Sequence, residues 1–333
     1  MNWGDSSHNV QNPCILVTGS EGLIGKALVR DLKAVNFKVR RYDIKFPRDH
    51  HDYGNICDQT SLSKAIEGCY GVVHLAAVSR VIFGERNPTL CMETNFIGTR
   101  NVLKACEESP LQPWLLFSSS REVYGEQEIL PVSPSADYRP VNIYAESKVK
   151  AEKAILSARR ERGVPIAIVR YSNVYGSVDD YVDRVVPAFC RAAAFNIPLK
   201  IEGFNHTFDF THLDDTIRGT LAVINQLMRH NVSLPPLHFT TGIPTTLEEL
   251  AKLALKCGGR SQKNNLIKEP PRRFDVARFY GDTSLIFSLL GWKAKIKIEE
   301  GVLRLVSELK NSLLYDGENS ENLKSNSRLS SAI

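Results

Sequence analysis

The sequence predicts an α/β fold: a doubly wound parallel sheet, followed by a smaller C-terminal α/β domain. Three observations predict it. Short β-rich runs alternate with segments of helical spacing through the first half of the chain. Those runs are apolar almost throughout rather than alternating with polar residues, as strands covered on both faces are. The first run also ends in a glycine-rich turn that leads straight into a helical pattern.

Taken in order, "CILVTGS" is the first strand, running into its glycines. "LIGKALVRDLKAV" repeats apolar residues at helical spacing, and "FKVRRYDI" is the second strand. "SLSKAIEG" is a short helix with Ser61 as its expected N-cap. "GVVHLAA" is the third strand. "NPTLCMETNFIGTRNVLKACEE" reads as one long helix over 88–108, with Pro88 in its first turn. "PWLLFSSS" is the fourth strand, 142–162 a second long helix, and "PIAIVRYSNVYG" the fifth strand. The second half is less regular. A helix at "RVVPAFCRAAAF" precedes the strand "PLKIE", and "FDFTHLDD" opens a helix through "IRGTLAVINQLM", with His212 packing against or capping its start. "TLEELAKLALKC", the polar stretch "GGRSQKNN", "PPRRFD" and "DTSLIFSLLGW" follow, and no internal repeat appears.

The chain of 333 residues, 43% of them hydrophobic, is long enough for one large or two smaller cores. Its 42 Lys and Arg face 37 Asp and Glu, and the net +5 is scattered rather than gathered into a nucleic-acid-binding stripe. Seven cysteines stand far apart, without CxxC pairs or metal-ligand spacing, which predicts free thiols and no metal. His50-His51 reads as loop surface and His74, in an apolar strand, as core. The N-terminus has neither a basic start nor an apolar stretch of signal-peptide type, and no apolar run reaches the roughly 18–20 residues of a membrane span. The expectation is a cytoplasmic protein.

The turn "TGSEGLIG" places Gly19, Gly22 and Gly25 three residues apart, between strand and helix. Such glycines allow a tight turn, close backbone approach to a pyrophosphate, and close helix–strand packing, with the phosphates at the positive end of the helix. Asp43, at the end of the second strand, fits hydrogen bonding to both ribose hydroxyls of NAD, and its charge opposes the extra phosphate of NADP. Arg40, Arg41 and Lys45 nearby soften that preference. NAD is the expected cofactor. The expected organisation is a Rossmann dinucleotide-binding domain over 13–176, which crossover segments at about 205–240 rejoin. A substrate-binding domain over 177–204 and 241–312 and flexible tails at 1–12 and 315–333 complete it.

Tyr144 and Lys148, in "YAESK", are four residues apart and share one helix face. A phenol with a pKa near 10 is a poor base at neutral pH, but an adjacent ammonium favours the phenolate. By itself this pair is common by chance.

Together, TGxxGxxG on the first strand, "HLAA" at 74–77, "SSS…VYG", YxxxK and "NVYG" at 173–176 resemble the extended short-chain dehydrogenase/reductase family. They are most similar to its NAD-dependent nucleotide-sugar epimerase/dehydratase branch. The resemblance runs from about Cys14 to Leu309 and takes in "DFTHLDD" and "LGW…EEGV". It implies that Ser120 hydrogen-bonds the reacting sugar oxygen, that Tyr144 is the acid/base, and that Lys148 binds the nicotinamide ribose and lowers the tyrosine pKa. It also implies a cofactor site of Gly19, Glu21, Gly22, Leu23, Ile24, Gly25, Asp43, Asn55, Ile56, Leu75, Ala76, Ala77, Asn95, Ser118 and Tyr171, besides Tyr144 and Lys148. Asn95 is further implied to support the active-site helix. On the substrate side it implies Ser79, Arg80, Ser120, Asn173, Arg184 and Arg272, with Arg272 paired in "RxxD" with Asp275 and binding phosphate. The partner so implied is a nucleotide-diphosphate sugar, and the long helices 88–108 and 142–162 would pair across a homodimer, with Met92, Phe96 and Ile155 as fitting apolar positions.

Two departures stand out. The family usually has "RDF" where this chain has Phe208-Asp209-Phe210, and His206 or Arg184 is the candidate replacement for the missing Arg. Asn55-Ile56 stands where an acid usually marks the adenine edge; the amide oxygen still accepts a hydrogen bond. The reaction turns on Arg121-Glu122. Related dehydratases carry Asp-Glu there and decarboxylases Ser-Glu. A guanidinium does not deprotonate, so Arg121 disfavours ordinary 4,6-elimination. Arg121 and Glu122 either form a salt-bridged turn or hold and steer the sugar. Epimerisation through a 4-keto sugar is the favoured reading. Dehydratase, decarboxylase or reductase chemistry is the alternative, and a non-catalytic dinucleotide-binding relative the alternative from another class.

Overall fold

A computed structural model describes residues 12–230, 232–261 and 266–312. The tails expected at 1–12 and 315–333 lie outside these residues, apart from Asn12. The chain divides into two compact units. The first takes the residues up to Val174, Thr207–Pro244 and Arg273–Lys295; the second takes Tyr175–His206, Thr245–Arg272 and the residues from Ile296 on.

The first unit is built on six parallel strands. β1 (Cys14–Thr18), β2 (Lys38–Tyr42), β3 (Gly71–His74), β4 (Trp114–Ser120) and β5 (Ile166–Tyr171) are joined by a sixth, Leu237–Phe239. Across the sheet the order is sixth strand, β5, β4, β3, β1, β2. The chain steps from β1 sideways to β2 and then returns past β1 to β3. That reversal leaves a crevice at the carboxyl ends, where open α/β sheets bind ligands. Register brings those ends level: Thr18 lies opposite Tyr42 and His74, and Ser120 opposite Tyr171. The apolar runs read as strands because both faces are covered. Ile15 and Val17 face one core with Leu28, Leu116 and Phe239; Leu16 faces the other with Val72, Leu115 and Phe117.

The helices covering these faces are α1 (Leu23–Ala34), α2 (Gln59–Ile66), α3 (Val81–Arg86), α4 (Pro88–Met92), α5 (Gly98–Glu108), α6 (Ile143–Arg162) and α8 (Leu213–His230). Three details differ from the sequence reading. The N-cap of α2 is Asp58, not Ser61; the Asp58 carboxylate accepts from the Thr60 and Ser61 N–H groups. The helix read as continuous over 88–108 is interrupted by a π-helical turn, Glu93–Ile97, between α4 and α5. Arg273–Lys295 belongs with the first unit rather than the second, because its apolar residues complete the sheet core. Phe279 stacks on Tyr124 at 5.8 Å, and Trp292 on Phe239 at 5.0 Å. Ile286, in α10 (Ser284–Leu290), joins the same cluster. His212 does cap α8: its Nδ1 accepts from the Asp214 N–H.

In the second unit α7 (Val185–Phe195) packs on α9 (Leu247–Gly258), and the strands Leu199–Glu202 and Leu266–Glu269 pair in parallel. A capping box of Thr246 and Glu249 starts α9. No described helix is long and apolar enough to cross a membrane.

Candidate active site

The glycine turn joins β1 to α1. Gly19 has φ +70°, and a Cβ there would stand 2.6 Å from the Ala76 nitrogen, so the turn touches the backbone that follows β3. A Cβ on Gly25 would come 2.2 Å from the Gly19 oxygen, the close helix–turn approach that the glycine spacing predicts. Gly22 caps α1 with no side chain over the helix end, which leaves its first N–H groups facing outward. Ser20 Oγ is buried at the same turn without a partner. The Asp43 carboxylate accepts from the Glu21 N–H at 2.8 Å and the Lys45 N–H at 2.9 Å, so it ties the turn to the end of β2. Each oxygen keeps a lone pair for a hydroxyl. Leu75 and Ala76 are held to Thr18, the Leu75 N–H on its carbonyl and the Ala76 N–H on its hydroxyl. The turn, its helix end and its acid fit a dinucleotide.

Beside this turn, β4 ends in Ser118, Ser119 and Ser120, and α6 brings Tyr144 and Lys148. Asn142 starts α6: its side-chain oxygen accepts from the Ala145 N–H at 2.8 Å. The Glu85 carboxylate, from α3, accepts the next N–H, that of Ile143, at 2.9 Å. One turn on, Lys148 Nζ donates to the Ser118 carbonyl at 2.7 Å and lies 6.0 Å from the centre of the Tyr144 ring. Burial lowers the Lys148 pKa to about 8, which leaves it mainly charged at neutral pH. An ammonium held there favours the phenolate of Tyr144.

Ser120 Oγ accepts from the Glu122 N–H at 3.2 Å and so caps a short 3₁₀ turn, Arg121–Tyr124. Arg121 and Glu122 are both buried. Arg121 Nη2 meets Glu122 Oε1 at 2.8 Å, and the guanidinium lies 4.6 Å from the Phe208 ring and 5.6 Å from that of Phe279. Glu122 Oε2 accepts from Asn142 Nδ2 at 3.2 Å.

The profile of the NAD dependent epimerase/dehydratase family matches residues 15–233, about two thirds of the chain. The chain belongs to that family. A Methanocaldococcus jannaschii protein provisionally named a UDP-glucose 4-epimerase is 30% identical over 312 residues, 90% of this chain and 99% of its own length. A UDP-N-acetyl-α-D-glucosaminuronate decarboxylase of Bacillus cytotoxicus is 31% identical over 234 residues, 63% of this chain and 71% of its own length. Among solved structures, a UDP-glucose 4-epimerase of Thermotoga maritima with UDP-glucose superposes with a TM-score of 0.80 at 25% identity, covering 90% of this chain and 99% of that one. Identity alone does not separate the family's reactions.

Against the pattern of this family, the residues expected at the site divide. Gly19, Glu21, Gly22, Leu23, Ile24, Gly25 and Asp43 gather at the turn, and Leu75, Ala76 and Ala77 follow β3 directly. Asn55 is exposed, with its side-chain oxygen accepting from the Cys57 N–H; Ile56 beside it is buried. Ser79 and Arg80 precede α3, where the Arg80 guanidinium lies over the Phe83 ring. Asn173 Nδ2 reaches the Asp209 carbonyl at 3.4 Å. In the second unit Arg184 meets Asp180 at 3.4 Å, and Arg272 meets Glu202 at 3.3 Å.

Two residues expected at the cofactor make their contacts within the protein. Asn95 is buried, and its amide bonds to Val78 and to Ser147 Oγ of α6, so it supports that helix as the resemblance also implied. Tyr171 is buried in the sheet core, with its hydroxyl on Thr220. Ile155, expected as an apolar position for dimer pairing, is core as well. His74 is core as expected, between the Thr18 and Thr99 hydroxyls at 2.8 and 2.9 Å.

Sequence reasoning missed Glu152 and Arg170. They form a buried pair behind the serines, in which Glu152 also accepts from Ser119 and Tyr138. Glu152 stands four residues after Lys148, and that second helical step is the only signal the sequence carries.

Proposed function

We propose that this protein is an NAD-dependent nucleotide-sugar epimerase that works through a transient 4-keto sugar. The observation that carries the reading is Lys148, anchored on the Ser118 carbonyl of the strand that ends in Ser120 and 6.0 Å from the Tyr144 ring, at the same carboxyl edge of the sheet as the glycine turn. NAD, when bound, supplies a hydride acceptor that can later return the hydride. The Gly19–Gly25 turn and the start of α1 would hold its phosphates, Asp43 its adenosine ribose, and Ala76, Ala77 and Lys148 its nicotinamide end.

In this reading Ser120 Oγ orients the sugar hydroxyl, and Tyr144 Oη takes its proton and later gives it back. Lys148 stabilises the phenolate in between. Epimerisation asks nothing more than room for the keto sugar to present its other face. Elimination asks for a proton donor. Arg121 does not deprotonate, and the Glu122 carboxylate is already engaged, Oε1 in an ion pair with Arg121 and Oε2 accepting from Asn142. Asn173 is the proposed contact for the substrate diphosphate.

The test is to incubate the purified protein and NAD with UDP-, GDP-, CDP- and dTDP-sugars and follow the sugars by NMR and mass spectrometry. A new epimer with unchanged mass is expected; loss of water or carbon dioxide refutes epimerisation. Tyr144→Phe abolishes turnover and leaves NAD binding intact, and an active variant refutes the role of Tyr144. We also propose a homodimer through α4, the π-helical turn and α6. There Leu90 and Ile97 are exposed, and Met92 and Phe96 line a shallow surface groove with Lys150. A monomer mass by light scattering refutes it.

A further inference from the structure

We infer that Arg121 and Glu122 are positioning residues: the pair forms a clamp that sets Tyr144 against the Ser120 end of β4 by gripping Asn142 at the start of α6. The inference rests on the reading of Ser120, Tyr144 and Lys148 as the catalytic set. It assigns no proton transfer to Glu122 and no substrate contact to Arg121.

Four observations carry it. First, the turn is fastened to the catalytic strand, because Ser120 Oγ accepts the Glu122 N–H. Second, the same glutamate reaches the catalytic helix. Its Oε2 accepts from Asn142 Nδ2, while Asn142 Oδ1 caps the Ala145 N–H, and Tyr144 lies between those two residues of α6. Third, Asn142 Nδ2 also donates to the Phe274 carbonyl at 3.2 Å, so the helix start is held at a fixed point rather than merely capped. Fourth, Arg121 is packed as a wedge and does not stand as a ligand arm. One amino group pairs with Glu122, and the guanidinium lies over Phe208 and Phe279. The other amino nitrogen, Nη1, is fully buried without a hydrogen-bond partner, so no approaching sugar reaches it in this arrangement. A guanidinium over aromatic rings gains from their faces even where it lacks an oxygen.

Arg121 and Phe208, each unlike the residue its relatives usually carry, thereby meet in one contact. Arg121 stacks on the ring of Phe208; an arginine at 208 would set a second guanidinium against the first. The charged groups around the start of α6 are then Glu146 and Lys148 on the helix itself, Glu85 from α3, and the Arg121–Glu122 pair. The pair is internally neutralised. It acts on Tyr144 by placement, and misplacement of a reacting group by about 1 Å costs on the order of 10²-fold in rate.

The test exchanges the two amide and carboxylate groups. Glu122→Gln keeps a single acceptor oxygen between two donors, so its NH2 must face either Asn142 Nδ2 or Arg121 Nη2 and the grip is weakened, and Asn142→Asp sets two carboxylates together. The double variant Glu122→Gln/Asn142→Asp restores the bond with its direction reversed and still caps Ala145. Four NAD-loaded proteins are compared: wild type, the two single variants and the double. Two readouts are used. One is kcat, KM and the pH profile with UDP-glucose as probe sugar. The other is the ultraviolet phenolate titration of Tyr144, taken as the difference from the same protein carrying Tyr144→Phe.

The clamp requires each single variant to lose kcat by at least about tenfold, with KM within about threefold of wild type. The Tyr144 titration moves upward as the ring leaves Lys148. The double variant recovers at least about tenfold of the loss, short of wild type because the Phe274 carbonyl then faces Asp at 142. If Glu122 transferred a proton, the double variant would be as inactive as Glu122→Gln and would lack one limb of the pH profile; that result overturns the inference. An identical Tyr144 titration in all four proteins overturns it too. The titration needs no sugar, so failure to turn over UDP-glucose bears on the proposed function and not on the clamp. Should the double variant not fold, Asn142→Ser keeps a hydroxyl cap and an intact Glu122. Wild-type kcat and titration in that protein overturn the clamp.

Discussion

Glu152→Gln removes one charge from the pair behind the serines that end β4 and leaves the volume unchanged. The structure sets the cost. Glu152 is fully buried and Arg170 3% exposed. Glu152 Oε1 accepts from Ser119 Oγ and from Arg170 Nε at 2.9 Å; Oε2 accepts from Arg170 Nη2 at 2.6 Å and from the Tyr138 hydroxyl at 2.7 Å. Arg170 cannot shed its proton, so the variant strands a buried cation. Breaking a buried pair on one side costs about 3–5 kcal/mol. At an m-value of about 3 kcal/mol per M in urea, the midpoint falls by about 1–1.7 M. The assay is urea unfolding by tryptophan fluorescence, since Trp114 and Trp292 both report on the first unit. The double variant Glu152→Leu/Arg170→Met separates the charge from the packing. It loses less than the sum of its single variants, because no charge is left alone, although Ser119 and Tyr138 each lose a partner. A Glu152→Gln protein within about 1 kcal/mol of wild type refutes the reasoning, since it would mean that water or a rearrangement reaches Arg170.

Two other outcomes follow from the site. Gly19→Ala puts a methyl group 2.6 Å from the Ala76 nitrogen at φ +70°, so NAD affinity falls by at least about tenfold by titration calorimetry while the fold persists; unchanged affinity refutes the close approach. Burial and, next, the Lys148 charge lower the His74 pKa to about 3. Its folded pKa lies below the unfolded value of about 6.5, so the unfolded chain binds the proton first as pH falls. The contribution is full above about pH 6.5 and is lost toward pH 3, with about 2 kcal/mol gone at pH 5. His74→Gln therefore flattens the fall in urea midpoint between pH 7 and pH 5, and an unchanged slope refutes the assignment.

Much of the first unit was legible because its signals are local. The glycine spacing needs only eight residues, and the YxxxK pair only one helical turn. The apolar runs are strands because helices cover both faces of the sheet, a condition written into composition. Errors came where a longer-range contact decided. Ser61 and Asp58 are both good caps, and the helix start chose the earlier one. The π-helical turn has no periodicity of its own; it lies where Asn95 is braced against α6, fifty residues on. Tyr171 ends a strand at the catalytic edge, yet packing turned its ring into the core.

The sequence by itself determined the sheet, the glycine turn, the proposed catalytic trio and the family, because each rests on residues whose spacing within one element dictates their geometry. Only the tertiary structure decided what Arg121 and Glu122 touch. Their partners, Asn142, Phe208 and Phe279, are 20 to 158 residues away along the chain, and no local pattern records a contact made when distant segments fold onto the same strand end.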